Sequence, residues 1–298
     1  MQKIMPCLWF DTQTEDAMTL YSAGFPDSRI NLIKRYPDGI EEGPMAGMGG
    51  KVLTAIFELA GQPFMALDGG PQFKFTPAVS MFVNAASADE LDRLWNKLVD
   101  GASVLMPLQA YPFSEKFGWL VDKFGLSWQI NLGRRAQKIT PFLTFVGAQH
   151  GKAEEAIHFY TSLFKNSRIE KIERYGAGEE GGTEGTVKHA VFQLDGNDFM
   201  ASESSYAHDF TFNEAVSFYV ECQTQEEVDH LWNNLSAYPE AEQCGWLKDK
   251  YGVSWQIVPK QLGELLEDPD PEKSGRVMQA MLQMKKLDIA GLQRAHAG

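Results

Sequence analysis

Histidines, cysteines and a few matched acidic residues are the groups in this 298-residue chain that could do chemistry, and they are unevenly placed. All six histidines lie in the second half: His150, His158, His189, His208, His230 and His296. Only His189, in the run Val187-Lys188-His189-Ala190, stands on a segment whose composition reads as a strand. An imidazole there is either a buried, hydrogen-bonded core residue or a group for substrate binding or acid–base chemistry. His158 and His230 fall on amphipathic helical patterns, and the other three in loops or the tail, where solvated positions are expected. Cys7, Cys222 and Cys244 show neither a shared pairing nor metal-ligand spacing, and are read as reduced thiols.

One glycine run invites a cofactor reading. Gly176-Ala177-Gly178-Glu179-Glu180-Gly181 fits G-x-G-x-x-G and follows a strand-like segment. That fingerprint works by leading into a helix whose amino terminus holds a pyrophosphate. Here the glycines lead into a second strand-like run, and two glutamates would repel phosphate. No phosphate loop with Lys-Ser/Thr, Gly-x-Ser-x-Gly elbow or His-Glu-x-x-His is present.

The elements that must position these groups occur twice. Asp122-Lys123-Phe124-Gly125-Leu126-Ser127-Trp128-Gln129-Ile130 recurs as Asp249-Lys250-Tyr251-Gly252-Val253-Ser254-Trp255-Gln256-Ile257. Pro6-x-Leu8-x-Phe10 answers Pro141-x-Leu143-x-Phe145, Tyr21 answers Tyr160, Val79-Ser80 answers Val216-Ser217, and Gly118-Trp119 answers Gly245-Trp246. Within repeat two, Thr140 to Val146 reads as a strand and Ala153 to Phe164 as an amphipathic helix. Three strands follow, at Ile169 to Tyr175, Val187 to Leu194 and Phe199 to Ser202. The order then restarts with a strand at Ala215 to Cys222 and a helix at Glu226 to Leu235, and further strands close at Ser254 to Val258. Each repeat is thus a pair of βαβββ modules, and an α+β chain of four modules is expected. The domains expected are residues 1–133 and 139–260, followed by a helical tail over 261–298 with helices at Gln261 to Glu267 and Glu272 to Lys286. The apolar stripe Val277, Met278, Met281, Leu282, Met284 marks a docking face on that tail.

Composition narrows the function classes. Forty Asp and Glu against 27 Lys and Arg give a net charge of -13, which argues against nucleic acid as a partner. No stretch of 18 apolar residues and no leader-like amino terminus is seen, so no membrane partner and a cytoplasmic location are the expectation.

The motifs Pro-x-Leu-x-Phe, Ala-x-x-x-Tyr, Val-x-His-Ala and Asp-Lys-Phe-Gly-x-x-Trp-Gln, with the tail Met281-Leu282-Gln283-Met284-Lys285-Lys286-Leu287-Asp288-Ile289, resemble the PhnB-like branch of the vicinal oxygen chelate superfamily. Some members of that branch are labelled 3-demethylubiquinone-9 3-methyltransferase-like. The resemblance implies the glyoxalase/bleomycin-resistance/dioxygenase fold, in which paired modules curl their sheets around a ligand cavity. It also implies, for the catalytic members, a divalent metal that bridges vicinal oxygens of a substrate and acts as a Lewis acid.

Carried over position by position, the usual ligand set of that superfamily is missing. Gln129 and Gln256 stand where the family's final-strand Glu would be, and a neutral amide binds a hard cation more weakly than a carboxylate. Ser80 and Ser217 stand about where a middle strand often offers His, and the opening strands carry no His, Glu or Asp. Asp68 and Glu203 are the only acidic residues near a ligand position, and they read first as turn residues. By strand alternation Ser127, Gln129 and Asn131 share one face and Trp128 and Ile130 the other, so Trp128 is expected in the core. Trp119 and Trp246 are expected to line a pocket.

The leading expectation is a small-molecule-binding protein without a confident cofactor, its contact residues Ser80, Trp119, Gln129, His189, Ser217, Trp246 and Gln256. A metal-dependent lyase, isomerase or dioxygenase using His189, Gln256 and Glu203 is the alternative. A methyltransferase using S-adenosylmethionine ranks last, because no Gly-rich strand-to-helix turn with a following ribose-binding acid occurs. Since single-repeat relatives pair as dimers, the tandem chain is expected to form that interface internally, as a pseudo-dimer.

Overall fold

A computed structural model describes residues 3–39 and 46–298; residues 40–45 of the glycine-rich Gly39 to Gly50 segment lie outside it. Module one is β1 (Ile4–Phe10), α1 (Thr14–Gly24), β2 (Arg29–Arg35), β3 (Val52–Leu59) and β4 (Gln62–Asp68). Module two is β5 (Val79–Ala85), α2 (Ala88–Leu98), β6 (Ser103–Tyr111), β7 (Ser114–Val121) and β8 (Ser127–Leu132). Module three is β9 (Ile139–Phe145), α3 (Ala153–Leu163), β10 (Arg168–Arg174), β11 (Val187–Leu194) and β12 (Asn197–Glu203). Module four is shortened to β13 (Val216–Cys222), α4 (Gln225–Leu235), β14 (Trp246–Lys248) and β15 (Ser254–Pro259), with a single 3-10 turn at Pro239–Ala241 where module two has β6.

The tail folds as α5 (Lys260–Leu266), α6 (Pro271–Leu282) and α7 (Ile289–Ala297). The helix expected over Glu272 to Lys286 therefore stops at Leu282, and the sequence reading missed α7. Its start is marked by Asp288, whose carboxylate accepts from the Ala290 and Gly291 N–H groups. None of the described helices is long and apolar enough to cross a membrane.

Two compact units are formed, Pro6–Val216 and Met1–Met5 with Ser217–Gly298. The larger unit contains a complete eight-stranded sheet in the order β10-β11-β12-β9-β5-β8-β7-β6. Its centre is the antiparallel pair β5 and β9, in register from Val79 opposite Leu143 to Val83 opposite Ile139. The sheet thus joins module two of the first repeat to module three of the second. β1, β4, β3 and β2 are paired in that order beside it in sequence, while the smaller unit holds β14, β15 and β13 with α4 and the tail.

Helix starts are fixed twice over by the same chemistry. Ser87 accepts from the Glu90 N–H at the start of α2, and Thr224 accepts from the Glu227 N–H at the start of α4. The Glu90 and Glu227 carboxylates reach back to the Ala86 and Gln223 N–H groups. The α2 helix lies close against β7, where a Cβ added at Gly118 would come within 2.3 Å of the Trp95 ring.

The repeated signature is a structural tie. Asp122 is 4% exposed, and its carboxylate accepts from Tyr21 Oη (2.7 Å), Trp128 Nε1 (2.9 Å), Phe124 N (2.8 Å) and Leu126 N (3.1 Å). Gly125, at φ +92°, supplies the left-handed backbone that folds the turn back onto that carboxylate. Tyr21 lies on α1 and Trp128 on β8, so one acid fastens module one to module two. The two rings pack edge to face at 5.1 Å, and Trp128 is fully buried in the core. Burial lifts the Asp122 carboxyl above its ordinary range, a rise opposed by the four donors. Asp249 repeats the pattern with Tyr251 N, Val253 N and Trp255 Nε1.

Replacing Asp122 by Ala leaves these buried donors unpaired at a cost of ~1–3 kcal/mol each, whereas Tyr21→Phe removes one charge-assisted bond of about 1.5–3 kcal/mol. Urea denaturation should therefore rank the chains wild type, Tyr21→Phe, Asp122→Ala in falling stability, and equal midpoints would show that the tie is dispensable.

Candidate functional site

The eight-stranded sheet has two unlike faces because side chains alternate along each strand. The face toward α2 and α3 carries Val79, Met81, Val83, Trp128, Ile130, Leu143, Phe145, Ala190, Phe192 and Ala201, all buried. The opposite face carries Ser80 and Phe82 on β5, Ser127, Gln129 and Asn131 on β8, Phe117 and Trp119 on β7, and Thr140, Phe142 and Thr144 on β9. It is completed by Asp198 and Met200 on β12 and His189 and Val191 on β11.

Aromatic rings run across this second face as a row. Phe142 and Phe82 stack at 6.0 Å, Phe82 and Phe117 lie 6.2 Å apart, and Phe117 meets Phe113 at 5.2 Å and Tyr111 at 5.9 Å. At the other end His189 lies 6.1 Å from Phe142. Phe142, Val191 and Met200 form a buried apolar cluster with Phe82 packed on it.

Gln129 and Ser80, singled out from the sequence, are brought together on this face. Gln129 Nε2 donates to Ser80 Oγ at 2.8 Å, which leaves Gln129 Oε1 with no partner among the described residues. Trp119 stands beside Gln129 in the β7–β8 register, and its Nε1 donates to Ser127 Oγ at 2.8 Å. Thr140 Oγ1 and Thr144 Oγ1, flanking Phe142, are buried without a hydrogen-bond partner. These threonines and the Phe row were not foreseen; the alternation of β5 and β9 is the signal that points to them once the sheet is known. Ser217 and Gln256 repeat the pair in the smaller unit, where Gln256 Nε2 donates to Ser217 Oγ at 2.9 Å and Trp246 stands opposite Gln256.

His189 has no hydrogen bond among the described residues. Burial depresses its pKa, Glu173 raises it, and Lys171 and Arg135 lower it further. The imidazole is therefore neutral at pH 7. Asp198 is held by Arg135 at 3.0 Å and by Gln193 at 2.7 Å.

Glu203 and Asp68 serve elsewhere. The Glu203 oxygens accept from Ala153 N at 2.9 Å and Val187 N at 2.6 Å, on the face opposite His189. Asp68 does the same for Thr14 N and Val52 N. Each fixes the start of a helix and of a strand. His189 and Glu203 thus project from opposite faces of the eight-stranded sheet, and Gln256 lies on β15 of the smaller unit. No group of three or more His, Cys, Asp or Glu able to hold a metal occurs among the described residues. A face of amide, hydroxyl and aromatic groups with one imidazole and one carboxylate, Asp198, already held by Arg135 and Gln193, does not fit a divalent cation, which needs free carboxylates or several imidazoles. The glycine run Gly176 to Gly181 connects β10 to β11, two strands, as the sequence order implied.

The pattern of the 3-demethylubiquinone-9 3-methyltransferase family matches residues 2–131 and again residues 137–258. The chain belongs to that family. The chain is a tandem-duplicated member with an α+β, glyoxalase-like fold. A PhnB protein of Bacillus cereus, described as a putative 3-demethylubiquinone-9 3-methyltransferase, is 44% identical over 44% of this chain and 100% of its own, with a TM-score of 0.41. Glyoxalase I from Zea mays matches 85% of this chain and 92% of its own at 8% identity, with a TM-score of 0.52, a likeness of fold. No curated protein matches the chain.

Because the folded chain holds His189 neutral, the unfolded chain takes up its proton first as pH falls. Stability present above about pH 6.5, the ordinary histidine value, should drain as pH drops through it toward the depressed folded value. His189→Gln should flatten the decline of melting temperature between roughly pH 7 and 5, and an unchanged slope would place the titration in other groups.

Proposed function

We propose that this family member is a small-molecule-binding protein whose eight-stranded sheet receives a flat, apolar or aromatic molecule carrying a hydrogen-bond donor such as a hydroxyl. The observation that supports this most directly is the aromatic row Phe142, Phe82, Phe117 with Gln129 Oε1 unpaired beside it. Flat rings stack on such a surface with about 0.5–1.5 kcal/mol per aromatic pair beyond burial. A hydroxyl of the ligand would donate to Gln129 Oε1, which Ser80 holds in place by accepting from the amide nitrogen. The neutral polar groups around the row favour an uncharged ligand over a phosphate or a nucleotide.

His189 is the observation that favours turnover over simple binding. It is neutral, hydrogen-bond free and at the edge of the row, so it could exchange a proton with a bound molecule. Methyl transfer, the reaction in the family description, finds less support, since the chain's one candidate dinucleotide-type glycine run joins two strands. The duplication supplies internally the second copy that a single-repeat chain would need, so we also read the protein as acting as a monomer; an obligate dimer by light scattering would contradict this.

Titration with naphthol and naphthalene tests the ligand reading. Phe82→Leu should weaken both ligands by roughly three- to tenfold, the value of one aromatic pair. Gln129→Leu should weaken naphthol by about fivefold, the worth of one neutral hydrogen bond, and leave naphthalene unchanged. Absence of binding by the wild type, or equal effects of Gln129→Leu on both, would sink the reading.

A further inference from the structure

The smaller unit carries a duplicate of the ligand face, and it has been put to another use. On β13 and β15, Ser217, Tyr219, Gln256 and Val258 occupy the positions of Ser80, Phe82, Gln129 and Asn131, and alternation puts them on one face. Val258 there forms a buried cluster with Leu262, Val277, Leu287 and Leu292 of the tail, and Tyr219, Met281 and Met284 pack against it. Val277, Leu287 and Leu292 are fully buried. The replacement of polar Asn131 by apolar Val258 suits this contact.

The tail is also fastened through its backbone. In module two, Phe117 of β7 is opposite Gln109 of β6. At the matching place Cys244 N donates to Met284 O and Gly245 N donates to Lys285 O, both at 2.8 Å. The segment between α6 and α7 therefore lies along the edge that β6 covers in the other copy. The Gln225 side chain closes the arrangement by donating to Leu287 O at 3.1 Å and accepting from Ile289 N at 2.9 Å. Lys286 pairs with Asp229 at 2.6 Å.

We propose that the duplication has left one ligand face per chain, on the eight-stranded sheet, and that the carboxyl-terminal tail is a built-in occupant closing the equivalent face of β13 and β15. This rests on the ligand reading of the first face given above. A tethered occupant competes at an effective concentration on the order of millimolar, so a free ligand of comparable intrinsic affinity at micromolar levels does not displace it. The duplicated Gln256–Ser217 pair is then a retained remnant of the fold's pattern, and the two halves differ in function though they share their signature.

Isothermal titration of the full chain with naphthol should give one site per chain, and Val277→Asp or Leu287→Ala, which loosen the tail, should raise the count toward two. Two equivalent sites in the wild type would overturn the proposal. Hydrogen–deuterium exchange gives a readout that needs no ligand: either tail variant should speed exchange in 216–222 and 254–259 while leaving 79–85 and 127–132 as they are. Exchange unaltered in 216–222 and 254–259 would overturn the proposal. If naphthol does not bind at all, the ligand reading fails, and the exchange pattern alone decides whether the tail covers this face.

Discussion

The carboxylate of Asp122 ties module one to module two. Removed from water, it is tolerated because four donors converge on it, two from the turn it caps and two from aromatic side chains on other elements. The turn brings β8 back along β7, Trp128 is drawn into the core behind the sheet, and Tyr21 carries α1 onto module two. With Trp128 held on one side of β8, Gln129 must emerge on the other, because neighbouring residues of a strand point to opposite faces. The tie thus sets the orientation of Gln129 on the face that carries the aromatic row.

The two faces of the eight-stranded sheet then divide the labour. One is a dry core against α2 and α3. The other keeps hydroxyl, amide and imidazole groups around a row of rings, a composition that gives a flat molecule large contact area and a few points of orientation. The buried oxygens of Thr140 and Thr144 lack partners, and such groups are costly in a finished core. Their retention here, on the face that carries the row, fits a surface completed by water or by a ligand.

Duplication has preserved the scaffold while the residues on the sheet faces have diverged. The Asp–Trp tie, the helix caps and the Gln–Ser pair are kept in both repeats, since each satisfies backbone or side-chain groups that would otherwise be stranded. The positions around the pair have drifted: Phe142 answers Cys7, His189 answers Thr54, and Asn131 answers Val258. The shortened fourth module, lacking a counterpart of β6, leaves an edge that the tail covers.

Much of this was legible in the residues. The twin signature, the strand and helix periods and the position of Gln129 and Trp128 on opposite faces follow from local pattern, because alternation and capping act over a few residues. The tail's third helix, α7, was not legible, since the apolar stripe runs on past Leu282 and hides the turn before it. Nor was the role of Asp68 and Glu203, whose partners at Thr14, Val52, Ala153 and Val187 are 16 or more residues away. By itself the sequence determined the duplication, the α+β class and which side chains share a face of each strand. Only the tertiary structure decided that module two meets module three across β5 and β9, that His189 and Phe142 join Phe82 in one row, and that the tail lies on the duplicate face. Those outcomes depend on which strands and faces meet, and pairing between distant segments is settled by the shape and burial of whole surfaces, which no local period encodes.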